Sequence, residues 1–304
     1  MKEHKHYEVI IIGGSYAGLS AAMALGRSMR SVLIIDSGKP CNRQTPHSHN
    51  FITQDGQKPS EIANNAKAQV LKYDSVTFHQ GLAMAGKKTL EGFEIETQSG
   101  DLFSARKLIF ATGLKDLMPD IKGFAECWGI SILHCPYCHG YEVKNEKTGI
   151  LANGFEAFHY AQLITNWTKE LTLFTNGKST LTEEQTVQIR KNNLEIIEKE
   201  IDFIEHSQGK IQRVVFKDGA GISVNALYAS PAFVQHSQIP EALGCQFTDE
   251  GLLEVDGLQQ TTVEGVYACG DNSSRRAVSI AVSTGTLAGI ASNHSLIEEE
   301  FFVK

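Results

Sequence analysis

The feature that most narrows the fold is a glycine turn wedged between a strand and a helix near the start of the chain. Tyr7–Ile12 is an apolar, β-branched run of the kind buried on both faces of a parallel sheet. Gly13-Gly14-Ser15-Tyr16-Ala17-Gly18 turns the chain, Leu19–Arg27 is alanine-rich and helix-forming, and Ser31–Ile35 is a second apolar strand ending on Asp36. The segment is a βαβ unit with Gly13 and Gly18 at the first and third positions of GxGxxG. Gly13 permits the tight turn, Gly18 lets helix and strand approach, and the helix start offers free N–H groups to a pyrophosphate. Ser15 replaces the second glycine, and its Cβ crowds a phosphate unless its hydroxyl donates or Gly14 supplies the room. Gly13, Gly14, Ser15, Gly18 and Asp36 are therefore expected around a dinucleotide; a purely structural tight turn is the alternative.

At 304 residues the chain is long for one hydrophobic core, so two domains are expected. After a helical stretch at Glu61–Lys72, short segments at Val76–Phe78, Phe93–Thr97 and Leu102–Ser104 suggest a small antiparallel excursion. Lys107–Thr112 then returns as a buried strand ending in Thr112-Gly113. A second βαβ-like pattern follows: Gly149–Ala152, a helix at Glu156–Asn166 and a strand at Leu171–Thr175. Gly265–Cys269 is another apolar strand, and the helix Val278–Ile290 after it is full of small residues suited to close packing. These patterns predict an α/β fold of two Rossmann-like nucleotide-binding domains, one interrupted by the other.

Composition excludes several classes. A net charge of -7 without a local cluster of Lys and Arg argues against nucleic acid as a partner. Val9–Leu25 is largely apolar, but its glycines break it, and no other stretch spans a bilayer, so a cytoplasmic protein without membrane association is expected. Six cysteines are too few for a disulfide-stapled secreted scaffold. Cys41, Cys127, Cys245 and Cys269 show no spacing relationship and are expected to be small buried hydrophobes.

The remaining two form His134-Cys135-Pro136-Tyr137-Cys138-His139. Cysteines three apart can close an easily reduced disulfide, and an adjacent histidine can take or give its proton. Zinc is the rival, but no second CxxC or HxxxH follows, so no metal is expected; inert thiols are the third possibility. Gly270-Asp271, at the end of a strand, places a carboxylate where parallel sheets grip ligand hydroxyls, although a helix cap has the same appearance.

Together, the glycine turn, Ala111-Thr112-Gly113, the CxxC, a second nucleotide segment and Gly265-Val266-Tyr267-Ala268-Cys269-Gly270-Asp271 resemble, in order and over essentially the whole chain, the low-molecular-weight thioredoxin reductase family of FAD-dependent disulfide oxidoreductases. The resemblance implies a three-layer ββα FAD domain from residues 1–115 and 240–304 around a nicotinamide-binding-like insert, 116–239. It implies that Gly13, Gly14, Ser15, Gly18 and Asp36 hold the FAD adenosine and pyrophosphate, Gly270 and Asp271 the ribityl–phosphate part, and that Arg276 and Ala277 lie beside the flavin ring, where the family has an Arg-Gln pair. Cys138 becomes the flavin-side thiol and Cys135 the attacker of a thioredoxin-like protein or small-molecule disulfide, in a cytoplasmic homodimer.

Two departures redirect the expectation. The family's Asp after the second cysteine is His139 here, and Cys-Pro-Tyr-Cys-His-Gly-Tyr-Glu is closer to gliotoxin- and holomycin-type dithiol oxidases. His139, with His134 as second candidate, is a reasonable general base. In the insert, Ala152, Gly154 and Ala157 stand where a glycine-rich turn is expected, Ala152 straining the turn, and no arginine cluster follows Leu171–Thr175. NADPH or NADH is then a possible donor only; electrons passed from a dithiol to O2, and reduction by ferredoxin or another protein, are the alternatives, and a zinc-binding structural module a further one. Thr45–Asn50, with His47 and His49, is expected to be a solvated loop, with proximity to flavin or substrate as the alternative.

Overall fold

The computed structural model describes residues 5–302. Their contacts gather into two compact units: 5–43, 50–115 and 233–302 in one, 44–49 and 116–232 in the other. Residues 233–239, expected in the insert, pack with the first unit, and the short segment 44–49 packs with the second.

The first unit is built on β1 (Lys5–Ile12), β2 (Val32–Asp36), β3 (Val76–Gln80) and β6 (Leu102–Phe110), with α1 (Tyr16–Arg27) and α2 (Pro59–Val70) as crossovers. β3, β2, β1 and β6 run parallel in that order. Alternation along β1 sends Val9 and Ile11 to a helix-covered face and Ile10 and Ile12 to the opposite one. β6 does two jobs. Its first half pairs antiparallel with β5 (Gly92–Thr97), which continues to β4 (Ala83–Thr89). Its second half pairs parallel with β17 (Val266–Ala268). Leu102–Ser104 and Lys107–Phe110, expected as separate strands, are thus one element.

Val76–Phe78 was expected in the antiparallel excursion; it belongs to the parallel edge strand β3, because the α2 crossover returns the chain beside β2 in the same direction. The last helix, α8 (Val278–Phe302), lies against α1. A Cβ on Gly285 would stand 2.1 Å from the Ala17 carbonyl oxygen, and one on Gly289 2.6 Å from that of Ala21, so the small-residue stripe does allow a very close approach. Charges fix the far end of the helix. Arg106 donates to Glu300 at 2.6 Å and to Glu299 at 2.8 Å, Lys107 is ion-paired with Glu299, and Arg30 donates to Glu300 at 2.7 Å.

The second unit follows β7 (Leu114–Asp116), which pairs with β16 (Phe233–Gln235) where the chain leaves and returns. It begins with α3 (Phe124–Cys127), β8 (Ile132–Leu133) and α4 (Pro136–His139). β9 (Thr148–Leu151), α5 (Gly154–Ile164), β10 (Leu171–Phe174), α6 (Glu183–Lys191) and β11 (Glu195–Ile197) form the expected βαβ pattern. β12 (Ile201–Ser207), β13 (Lys210–Phe216) and β14 (Gly221–Ser223) make an antiparallel meander before β15 (Ala226–Ala229). The parallel sheet has the order β11-β10-β9-β15-β8, so the CxxC leaves the C-terminal end of an edge strand. A short α7 (Ile239–Ala242) completes the first unit, with Ile239 in its core. No helix among the described residues is long and apolar enough to cross a membrane.

Two outcomes follow. Gly285→Ala places a methyl against backbone and is expected to cost about 1–3 kcal/mol in denaturant-induced unfolding. Arg30 and Arg106 hold the Glu300 carboxyl down to about 2 by hydrogen bonding. A carboxyl lowered on folding stabilises above its ordinary pKa, so this contribution is expected to fade as pH falls from about 4.5 towards 2, and to fade less in Arg106→Met, as followed by acid unfolding.

Candidate active site

Cys135 caps α4, a single turn whose length is set by Pro136 at its first position and Gly140 after its end. Gly140 has to lack a side chain: a Cβ there would lie 2.4 Å from the Pro136 carbonyl oxygen and 2.8 Å from the Trp167 indole. Trp167 in turn receives the Tyr137 ring edge-on at 5.4 Å, and the Tyr160 hydroxyl on α5 donates to the His134 carbonyl at 3.0 Å. The turn is therefore gripped from the α5 side at both ends. It brings the Cys138 and Cys135 sulfurs to 2.7 Å, with Cys138 donating. That contact, supported by the N–H groups of Cys138 and Tyr137 and opposed by burial, lowers the Cys135 thiol from 9.0 to about 7. Cys135 is thus substantially thiolate at neutral pH.

His139 ends the same turn. Burial pushes its pKa below the ordinary histidine value, and the neighbouring charge of His49 adds to this. His49 lies within the segment expected to be a solvated loop. Instead that segment packs on the second unit: Ser48 is buried, Thr45 and Gln44 cover Gly129, and the His49 ring stands edge-on to His139 with 6.3 Å between centroids. Tyr228 on β15 presents a buried hydroxyl without a hydrogen-bond partner; burial, then the nearby Cys135, raises its pKa. Among the described residues no group of His, Cys, Asp or Glu has the arrangement of a metal site.

In the first unit the sequence-predicted ligand residues converge. Gly13 has φ 109°, and a Cβ there would overlap the Ala111 carbonyl oxygen at 2.2 Å. A Cβ on Gly18 would lie 1.8 Å from the Gly13 carbonyl oxygen. Asp36 accepts from the Gly14 N–H at 2.9 Å and from the Gly38 N–H at 3.0 Å, so it shapes the turn as well as facing it. Ser15 is extended and its hydroxyl makes no cap bond, while the first turn of α1 contains no acidic residue. The Gly270-Asp271 loop meets this turn: a Cβ on Gly270 would be 2.9 Å from that of Ala17. Next to it, Asn272 is fully buried, and its Oδ1 and the Ser273 hydroxyl have no hydrogen-bond partner. A buried unpaired acceptor at Asn272 suits a ligand hydroxyl, and the uncapped helix start suits a phosphate, both of which FAD has. Arg276 lies with its guanidinium 5.1 Å from the Phe233 ring centre, and Ala277 starts α8, its carbonyl accepting from Ala281. Cys41, expected to be buried, is exposed and reaches the Asp271 carboxylate at 3.8 Å, and Asn42, which the sequence pattern did not single out, donates to the Tyr16 hydroxyl at 3.4 Å.

The corresponding turn of the second unit is built differently. Ala152 is absent from the positive-φ residues, so its methyl does not strain the turn; the left-handed step falls at Gly154, with φ 57°. Asn153 occupies the start of α5 with its own carboxamide. Its Oδ1 accepts from Gly154 N–H at 2.8 Å, Thr180 N–H at 2.8 Å and the Thr180 hydroxyl at 3.1 Å, and its Nδ2 donates to the Lys178 carbonyl at 2.9 Å. A cavity of about 260 Å³ opens beside it at the C-terminal ends of β9, β10 and β15, and no charged side chain lines it.

Comparison with known proteins agrees with this construction. The pyridine nucleotide-disulphide oxidoreductase family model matches residues 7–285. The chain is 34% identical to the thioredoxin reductase tcpT of Claviceps purpurea over 96% of this chain and 95% of that one. It superposes on the oxidoreductase from Agrobacterium tumefaciens with a TM-score of 0.90 at 35% identity, covering 96% and 99% of the two chains. It superposes on HlmI with a TM-score of 0.92 at 31% identity, covering 97% and 94%. With its cysteine pair, glycine turn and two Rossmann-like units, the chain belongs to the pyridine nucleotide-disulphide oxidoreductase family and is a disulfide oxidoreductase of the thioredoxin reductase-like kind.

Proposed function

We propose that this protein oxidises a small dithiol to its disulfide through Cys135 and Cys138, the electrons leaving by way of a bound FAD to O2 or another acceptor. The observation that carries the direction is Asn153. In a nucleotide-binding βαβ unit the helix start receives a pyrophosphate. Here one N–H of the helix start, that of Gly154, is taken by the Asn153 carboxamide, which also ties down the loop after β10, and the adjoining cavity carries no cation for a 2′-phosphate. That geometry disfavours NADPH and NADH as donors, and with them reduction of a thioredoxin-like protein.

Bound FAD would supply a reversible two-electron acceptor. Gly13, Gly14, Ser15, Gly18 and Asp36 would hold its adenosine and pyrophosphate end, Gly270 and Asp271 its ribityl–phosphate part, and Arg276 and Ala277 would border the ring. At the cysteines, a substrate thiolate attacks Cys135 Sγ, and the Cys135–Cys138 bond breaks with Cys138 leaving as thiolate. The second substrate thiol gives its proton to His139, or to His134 as second candidate, and attacks the mixed disulfide. The substrate disulfide forms and Cys135 leaves as thiolate, so two electrons have passed from substrate to protein. A Cys135 pKa of about 7 suits it to this leaving role, and a His139 held below the usual histidine value is neutral and ready to accept.

In an anaerobic titration, dithiothreitol is expected to bleach the flavin and air to restore it, whereas NADPH and NADH leave it oxidised. Fast bleaching by NADPH would sink this direction and point to a reductase. Cys138→Ser is expected to abolish dithiol-driven bleaching. Alkylation of the reduced protein by iodoacetamide is expected to follow a midpoint near 7 for Cys135. In Cys138→Ala, which removes the donor, that midpoint should climb towards 9, since loss of a hydrogen bond to the thiolate favours the neutral thiol.

A further inference from the structure

We propose that His49, which lies against Glu142, is a positioning residue for His139, so that the segment preceding α2 sets the pH range over which the thiol site accepts protons. The inference deepens the dithiol reading and rests on it for its kinetic consequence, though not for its electrostatic one.

The geometry has three parts. The segment 44–49 is anchored on the second unit, where Gly129 would meet Thr45 Oγ1 at 3.0 Å if it carried a Cβ and Ser48 is buried. His49 Nε2 lies 3.6 Å from Glu142 Oε1, in the residues just after α4. The His49 ring stands at 89° to the ring of His139, so a proton on His49 places positive charge close to the base. Around His139 the other titratable or charged groups are Cys135 and Cys138 on α4, Glu142 behind it, and His47, whose ring is 6.5 Å from that of His49. Tyr228 on β15 and Tyr160 on α5 also border the site, while Lys144 is turned onto the Tyr141 ring at 3.5 Å. Two of these act on His139 with opposite sign. A charged His49 opposes the imidazolium, and the Glu142 carboxylate favours it.

The test changes charge at one position in both directions. In the flavin-loaded protein, the His139 ring resonance, assigned by its loss in His139→Gln, is titrated by NMR. His49→Gln removes the repulsion and is expected to raise the His139 midpoint by about half a unit or more; His49→Lys, a fixed cation, is expected to leave it at or below the wild-type value. Glu142→Gln made in the His49→Gln background, where only its direct attraction remains, is expected to lower the midpoint. A change of the same sign in both His49 variants, or none larger than about 0.2 units, overturns the proposal. Kinetically, the variant-to-wild-type ratio of dithiothreitol-driven bleaching for His49→Gln should fall severalfold at pH 6 and return to about one at pH 8, a comparison in which the ionisation of the reagent cancels. A ratio equally depressed at every pH marks a merely structural role and also overturns it. If wild-type flavin does not respond to dithiothreitol at all, the dithiol reading fails while the NMR titration still decides the electrostatics.

Discussion

The close approach of α1 to its neighbours is the constraint on which the first unit depends. Gly18 presses the helix onto the Gly13 carbonyl, Gly285 and Gly289 bring α8 against Ala17 and Ala21, and Gly270 sets the β17 loop beside Ala17. Each contact is backbone on backbone or on a single methyl, so none can relax by a rotamer change. One consequence is functional. A loop that lies more than two hundred residues after the glycine turn is locked to it, and the Asp271 carboxylate and the start of α1 become parts of one polar surface. Orphaned acceptors at Asn272 and Ser273 are tolerable in such a place because a polar ligand can satisfy them.

The second unit repeats the topology and reverses the result. Both units run strand, turn, helix, strand, and both helices begin at the C-terminal edge of a parallel sheet. In one, the turn is emptied by glycine and capped by nothing; in the other, Asn153 supplies a carbonyl to three donors and a donor to the next loop. The Asn153 carboxamide takes one N–H of its helix start, that of Gly154, and ties the loop after β10 to it, whereas no side chain caps the start of α1. The two helix starts therefore differ by one side chain and by the position of the positive-φ residue.

Much of this was legible in the sequence, for identifiable reasons. The β1–α1–β2 unit, the CxxC and the late Gly-Asp are local patterns, and local patterns survive folding. Val76–Phe78 misled because a short strand carries no mark of its direction; only the α2 crossover fixes it as parallel. Leu102–Phe110 looked like two strands because its first half, beside β5, alternates between buried and more exposed positions, whereas its second half, beside β17, is buried throughout. Ala152 looked like damage because the glycine was sought at a fixed position, whereas the chain moved the left-handed step two residues on. His49 was hidden by distance. Nothing near Thr45–Asn50 announces that it will pack on Gly129, and a histidine in a polar stretch reads as solvated until its partner, Glu142, is placed beside it.

What sets Cys135 apart from the buried cysteines then has a physical answer that spacing alone could not give. Cys269 ends β17 in the core, and burial without a compensating donor pushes its thiol to about 12; burial raises Cys127 and Cys245 as well. Cys135 is partly buried too, but there the neighbouring sulfhydryl and two backbone N–H groups outweigh the cost of desolvation and bring it to about 7. The decisive variable is the donor set that a one-turn helix supplies, and that set exists because Pro136 starts the turn, Gly140 lets it sit on Trp167, and Tyr160 holds the preceding carbonyl. Burial alone would have raised the Cys135 thiol, as it raises those of Cys127, Cys245 and Cys269. The lowered Cys135 pKa is a product first of the Cys138 sulfhydryl and then of where the backbone N–H groups point, and Tyr160 of α5 and Trp167 beside it hold the turn that supplies them.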